Sequence, residues 1–397
     1  MKSASVNGPA ERRRTVLVAL LPLSLALASI GIACAHEDTL DVGPHPDEPQ
    51  VIPGADASGD SDLTSELDAE TDGGKGAGSG CSASGICIAS IPVDGRVNLT
   101  SVWGSGPSDV WAVGTAGTIV HYDGTKWERA ALEAQDATTP FTLRGVWLER
   151  PDDVWILDGT SLRHTTGWSG PATTEWTRYA YASNTPVPSA IRGKDGTIWM
   201  TRQRASASGA PFARLGAWVD GGPSSTQTLG SSSISLAAVA VGRTDEAWGV
   251  GGNRVLRAVA VPPAVDGGAP TWRADELDSR TTRMLNGVWA DETDVWIVGE
   301  SGVVRHTSTT DTPLLGIVET GFDSDLYGVF GFDAANVWAV GEQGTILHWD
   351  GTTWTKVATP LDALADRPRL FGVWGSSPND VWFAGAGVML HLERTGP

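Results

Sequence analysis

The sequence is poor in cysteine, in tyrosine and in basic residues. Its 397 residues include 3 Cys and 4 Tyr, and 28 Lys and Arg stand against 47 Asp and Glu, which gives a formal net charge of −19. An acidic surface repels phosphate backbones, so the composition predicts no nucleic-acid partner. The apolar stretch from Val16 to Ile32 is short for a bilayer span and is interrupted by Pro22 and Ser24. We therefore expect a processed or lipidated leader there, not a membrane-spanning helix.

The first residues are typical of an export signal. A basic segment, "ERRR" (11–14), precedes the apolar stretch, and Ala33-Cys34 follows it. A small residue before a cysteine resembles the signal of bacterial lipoproteins, which implies that residues 1–33 are a signal peptide and that Cys34 is acylated. The acyl chains would anchor the protein in a lipid bilayer.

Two other routes of export stay open. Cleavage at an A-x-A site would release a soluble protein from His36, and the arginine run permits twin-arginine export. We expect a lipid-anchored protein of the cell envelope, at the outer membrane or the periplasmic face, with secretion as the alternative.

Residues 34–80 form a segment without aromatic residues. They hold twelve acidic residues and one lysine, and they are rich in Gly, Pro and Ser. Such a composition cannot bury enough apolar surface to offset chain entropy, so it predicts a disordered acidic tether.

The cysteine count supports export. Removal or acylation of Cys34 leaves Cys81 and Cys87, and an even pair outside the cytoplasm predicts a disulfide. Two cysteines without nearby ligands make a poor zinc site, and we expect no metal and no cofactor.

From residue 99 onward one pattern recurs seven times. A tryptophan marks each copy, at spacings between 42 and 49 residues: Trp111, Trp155, Trp199, Trp248, Trp296, Trp338 and Trp382. Eight residues earlier stands a second marker, seven earlier in the fifth copy: Trp103, Trp147, Ile191, Ala240, Trp289, Phe330 and Trp374.

Each copy contains four short β-rich segments separated by Gly, Pro and Asp. Four strands in about 40–50 residues is the period of a β-propeller blade. Residues 81–397 are therefore predicted to form an all-β, seven-bladed propeller that acts as a monomer.

The last copy supplies only three strands, and an orphan apolar run, residues 85–93, precedes the first copy. If Ile86 stands where Trp354 stands in the sixth copy, Pro92 falls where Pro360 does. We therefore expect this N-terminal strand to complete the last blade and close the ring. An outermost strand has a free edge, which tolerates proline.

The repeat phrases carry a family resemblance. "GVWGSSPNDVWFAG" (372–385) and "GTILHWDGTTW" (344–354) resemble repeats of secreted bacterial lipoproteins with β-propeller domains. They are similar, more loosely, to Asp-box (BNR-type) repeats and to photosystem assembly-factor-like propellers. Asp-boxes place Asp and Gly in a hairpin turn before Trp, as Asp350, Gly351 and Trp354 do. The resemblance covers about residues 85–397 and implies the fold alone, because propellers host binders, scaffolds and enzymes alike.

Two series of polar residues recur in register, and we interpret both as structural. His121, His164, His306, His348 and His391 are expected to form hydrogen bonds within or between blades. Asp109, Asp153, Asp294 and Asp380 are expected to anchor the preceding turn through the backbone.

Function is expected where the copies differ, and first of all in the connections between blades. The candidate binding rim is Asp275, Glu276, Asp278, Arg280 and Arg283, then Asp323 and Asp325, then Asp362, Asp366 and Arg367. We expect a non-catalytic binding or scaffold propeller that recognises an envelope protein or a glycan. The alternative is a secreted polysaccharide hydrolase or lyase, but no Ser-His-Asp order, metal cluster or sialidase-like arginine and tyrosine set stands out of register, so no catalytic residue is assigned.

Overall fold

The structure is a computed structural model. It describes residues 80–132, 141–180, 187–205, 211–218, 229–232, 236–263, 271–309 and 313–394. The predicted signal peptide, the acylated Cys34 and the tether up to residue 79 lie outside the described residues. Within the described part of the chain, no helix is long and apolar enough to cross a membrane.

The strands form seven four-stranded antiparallel sheets, which we number as blades 1 to 7 in chain order. The fold is thus an all-β propeller, as predicted. β1 is Ile86–Ile88, and the first three blades hold β2 to β13: Leu99–Gly106, Asp109–Gly114, Ile119–Tyr122 and Trp127–Arg129; Leu143–Leu148, Val154–Asp158, Ser161–Thr165 and Thr177–Ala180; Val187–Lys194, Thr197–Ala205, Pro211–Trp218 and Leu229–Ser232.

The other four blades hold β14 to β28: Ala238–Arg243, Glu246–Gly251, Arg254–Val261 and Thr271–Asp278; Leu285–Ala290, Asp294–Gly299, Val304–Ser308 and Gly316–Val318; Leu326–Asp333, Asn336–Gly341, Ile346–Trp349 and Trp354–Lys356; Leu370–Ser377, Asp380–Gly385 and Met389–Glu393. Short 3-10 segments lie at Thr115–Gly117, Glu300–Gly302, Glu342–Gly344 and Pro360–Ala363.

β1 is the outermost strand of blade 7. It pairs with β28 so that Ile86 faces Leu392 and Cys87 faces His391. In blade 6, Trp354 faces Trp349, the residue after the equivalent histidine, so Ile86 does occupy the place of Trp354. The strand is shorter than the predicted run 85–93, since it ends at Ile88, and Pro92 lies in the bend that follows. Ile86 is fully buried, and a disulfide joins Cys81 to Cys87.

The blade-to-blade connections and the turns between second and third strands lie together on one face, which we call the connection face. Gly117 N donates to Phe141 O, and Gly302 N donates to Ser324 O, each at 2.9 Å, so each such turn is bonded to the following connection. The other turns within the blades lie on the opposite face. The length of the blade-to-blade connections differs between copies, and so does the length of the turns between third and fourth strands on the opposite face.

The first strand of every blade lines one central cavity of 320 Å³. Its walls come from residues 100–102, 144–145, 189–192, 237–239, 286–288, 327–329 and 371–373. These are the opening residues of the first strands, so the cavity lies at the connection-face end of the channel. The apolar core lies between neighbouring blades, where the seven marker tryptophans and flanking valines pack.

Candidate functional site

The repeated histidines and acids form the same structural cluster inside blades 1, 2, 5 and 7. In blade 1, Asp109 Oδ1 accepts hydrogen bonds from His121 Nε2 and from Trp111 Nε1, both at 2.9 Å. The same arrangement joins Asp153, His164 and Trp155 in blade 2. Burial alone would raise the pKa of Asp109, but the hydrogen bonds from His121 and Ser105 outweigh it and hold that pKa below its usual value. The cluster ties the first three strands of a blade together.

The predicted hydrogen bonding of the histidines within blades is therefore confirmed, whereas the predicted role of the acids is wrong. Asp294 and Asp380 likewise accept from His306 and His391, at 2.7 and 2.6 Å. Across the turn before the acid, Ser105 Oγ donates to Asp109 and Ser376 Oγ donates to Asp380. The acids thus accept from side chains and not from the backbone of the turn before them. The reason is the pairing register, which sets each histidine directly opposite its blade's tryptophan.

Two blades vary the cluster. In blade 4, Glu246 and Arg257 replace the pair and form a buried ion pair at 2.7 Å. In blade 6, Asn336 takes the place of the acid and lies 2.8 Å from His348 Nε2. Burial lowers the pKa of His348, and no carboxylate at position 336 counters that effect.

We expect Asn336→Asp to raise the pKa of His348, because a carboxylate at hydrogen-bond distance favours the imidazolium. At present the folded-state pKa of His348 is depressed, so its contribution to stability is present above pH 6.5 and lost as the pH falls. The raised pKa of the variant would reduce that loss of stability at low pH. NMR titration of the histidine signals measures the pKa of His348 in the wild-type protein and in the variant. His391, which is already paired with Asp380, is the internal control. A pKa of His348 that stays put or falls would refute this account.

The structure divides the predicted rim residues into two groups. Asp275, Glu276 and Asp278 are not in a connection, because they belong to the outermost strand of blade 4, Thr271–Asp278. Their pairing partners on the third strand, which include Arg254 and Arg257, offset the low strand propensity of this acidic stretch. Glu276 forms an ion pair with Arg254, and both border a hollow of 370 Å³ on this blade.

The remaining rim residues do lie in connections on the connection face. Asp325 Oδ1 accepts from Ser301 N at 2.8 Å, Asp362 accepts from Thr359 N at 2.8 Å and pairs with Arg367 at 3.1 Å, and Arg280 donates to Leu315 O at 3.2 Å. Those contacts give shape to the loops. Arg283, Asp323 and Asp366 are instead exposed side chains that remain available to a partner.

A ring of polar side chains surrounds the mouth of the central cavity, and none of them was among the predicted site residues. Thr100 and Ser189 donate to the carbonyls of Leu143 and Leu236 in the next blade, at 2.6 and 2.7 Å, and Asn286 does the same to Leu326 O at 2.9 Å. These bonds satisfy the free edges of the first strands. Arg144 stands in the same ring and is exposed.

Below the cavity, the first-strand residue that pairs with the marker tryptophan is aromatic in five blades, and these side chains form a layer. Trp103 of blade 1 lies 5.7 Å from Phe330 of blade 6, a contact that crosses the channel because the two blades are not neighbours. Trp289 and Trp374 also contact Phe330, at 6.4 and 6.5 Å. A Cβ on Gly104 would meet the ring of Trp374 at 2.6 Å, so the glycine after the aromatic leaves room for the preceding blade's ring.

Blade 3 breaks this aromatic layer with a cation. Arg192, not Ile191, pairs with the marker Trp199, because the blade 3 hairpin lacks the bulged residue that follows the aromatic residue in blades 1, 6 and 7. The guanidinium of Arg192 lies 4.2 Å from the ring centroid of Trp103, across blade 2. Arg192 stands seven residues before Trp199, the same spacing that separates the two markers of the fifth copy, and this spacing could have identified Arg192 from the sequence.

Among the described residues, no group of three or more His, Cys, Asp and Glu could hold a metal ion. The lining of the cavity contains two arginines and neither aspartate nor glutamate. Its chemistry is therefore that of a binding site for a neutral or anionic group.

No protein-family model and no curated protein sequence matches the chain. Solved structures do. YCF48 bound to D1 peptide gives a TM-score of 0.58 at 15% identity over 78% of this chain and 97% of that one. YCF48 from Cyanidioschyzon merolae gives 0.56 at 18% identity over 78% and 99%, and streptogramin B lyase gives 0.55 at 14% identity over 77% and 96%.

These neighbours share the propeller fold. At such identities the likeness shows the fold alone. YCF48, a photosystem assembly factor, is among them, in agreement with the resemblance to assembly-factor-like propellers. The lipoprotein and Asp-box resemblances stay predictions.

Proposed function

We propose that this chain is a non-catalytic binding or scaffold propeller that holds a partner on its connection face. The observation that carries the proposal is that the repeated polar residues are bonded inside the blades, whereas several unrepeated charged residues are exposed. The repeated histidines and acids are bonded inside the blades, whereas the exposed charges Arg144, Arg283, Asp323 and Asp366 stand on the connection face. Exposed polar groups on loops held by a rigid scaffold are the usual place for recognition.

A protein partner is favoured over a glycan. A neighbour of the same fold, YCF48, has been solved with a D1 peptide bound, which supports a peptide or protein as the ligand class. The connection face also mixes both signs of charge, and such a surface suits an electrostatically complementary protein surface. The polysaccharide hydrolase or lyase is kept as the alternative, which sugar release abolished by a single substitution would establish.

The proposed location is the cell envelope. It is supported by the sequence of residues 11–34 alone, with Cys34 as the acylated residue and residues 35–79 as the tether. We expect globomycin, or Cys34→Ala, to block maturation and leave the precursor in the membrane fraction. Processing that continues unchanged under both treatments would contradict the lipid anchor.

The face of binding can be tested with a photo-crosslinking residue placed at Asp366 or at Asn379 in the full chain. Both positions are exposed, and they lie beyond the two ends of the same strand, Leu370–Ser377, on the connection face and on the opposite face. We expect crosslinked adducts in envelope preparations from position 366 and none from position 379. Adducts from position 379 alone, or from neither position, would overturn the proposed face.

A further inference from the structure

Arg192 occupies a position that aromatic residues hold in five other blades. Trp103, Trp147, Trp289, Phe330 and Trp374 pair with their marker tryptophans as Arg192 pairs with Trp199. A packing role would be served by another aromatic or aliphatic side chain. An arginine at this place puts a positive charge where the other copies contribute only apolar surface.

The cation has little protein to satisfy it. Arg192 Nη1 donates to Ile191 O at 2.8 Å, and the guanidinium stacks on Trp103. A guanidinium carries five N–H donors, and within the described residues no carboxylate forms an ion pair with this one. The other cation of the cavity, Arg144, is likewise without a carboxylate in the lining.

Arg192 is half-buried in the channel, and burial lowers its pKa to about 10. The group stays protonated at neutral pH all the same. A desolvated cation without a counter-ion is costly, and binding of an anion removes that cost. The chain has a net charge of −19, yet of the described residues that line this cavity the only charged ones are positive.

We propose that the central channel is a second binding site, for a carboxylate carried on an apolar body, with the guanidinium of Arg192 as the partner of the carboxylate. The planar fork of arginine matches a carboxylate in two parallel hydrogen bonds. Val102, Val239 and Val373 supply the apolar wall, and the cavity of 320 Å³ fits the lower end of small-ligand sites. Arg144 at the mouth attracts the same charge on entry.

This site is distinct from the one proposed on the connection face, although Arg144 at the mouth belongs to both. Two sources of the carboxylate fit it: a free small acid, or the C-terminus of an apolar peptide. The probes are therefore 4-phenylbutanoate with its neutral amide as control, and a free-acid Ala-Ala-Val-Phe peptide with its C-terminal amide. Calorimetric titration of the mature full chain measures all four. The source of the carboxylate is identified by the probe pair in which the acid binds and its amide does not.

We expect at least one acid to bind with a Kd of about 1 mM or lower, at least about tenfold more tightly than its amide. Arg192→Leu and Arg192→Gln should remove that difference, whereas Arg129→Leu, an exposed arginine on the outermost strand of blade 1, should preserve it. Equal binding of acid and amide, no binding of either acid, or binding that survives both Arg192 variants would overturn the proposal.

Thermal melting separates a ligand site from a structural role of Arg192. If the arginine serves the ligand, Arg192→Leu removes an uncompensated charge and the Tm of the free protein stays equal or rises. A Tm that falls for both Arg192 variants would mean that the cation is part of the packing, and the proposal would fail even if one acid bound.

Discussion

Ile86→Ala lowers the free energy of unfolding by about 2–4 kcal/mol, the range expected for a fully buried isoleucine. This loss of stability is large for a residue in a three-residue strand, because Ile86, near the start of the propeller, packs in the same core cluster as residues of the last blade. Its strand supplies the fourth position of blade 7, next to β28. Denaturant unfolding of the mature protein measures the change.

Ile317→Ala is the matched control. It too is an isoleucine in a three-residue outermost strand, Gly316–Val318 of blade 5, but its side chain is 49% exposed. We expect that substitution to change the free energy of unfolding by less than about 1 kcal/mol. If both variants lose the same amount, the N-terminal strand is no more than another short edge, and its role in closing the ring is refuted.

Arg257→Leu lowers the free energy of unfolding by about 3–5 kcal/mol, because it leaves the buried carboxylate of Glu246 without its cation. Glu246 is 2% exposed and also accepts a hydrogen bond from Trp248 Nε1. Thermal and denaturant unfolding again provide the measurement, and both should show one cooperative transition moved to milder conditions.

The control is a change to the pair that other blades use. Glu246→Asp combined with Arg257→His would install the acid and histidine of blades 1, 2, 5 and 7, and we expect it to recover most of the loss. A double variant as unstable as Arg257→Leu would show that blade 4 is not interchangeable with the others, and that the cluster is not a general device of this repeat.

The fold was predictable because its signals are repeated. Seven tryptophans in register fix the period, and a missing last strand with an orphan first one indicates closure. Each signal is weak by itself, but a ring requires all copies to agree. The pairing of Ile86 with Leu392 follows from the same comparison between copies.

The binding residues were harder to predict, for physical reasons that differ from case to case. Asp275, Glu276 and Asp278 look like loop residues, and only the arginines of the neighbouring strand make them a strand. Arg192 was hidden because blade 3 lacks the β-bulge of blades 1, 6 and 7, which shifts the pairing of its first strand by one residue. A register shift of one residue changes which side chain enters the channel, and no composition reveals it.

The central claim is that the chain binds a partner and does not break bonds. The most direct measurement incubates the mature full chain with insoluble polysaccharides and with envelope fractions, then assays retention of the protein and sugars released to the supernatant. The account predicts retention on an envelope fraction, lost when Arg283, Asp323 and Asp366 are replaced together by alanine, with no released sugar. Sugar release that a single substitution on the connection face abolishes would contradict it and establish an enzyme.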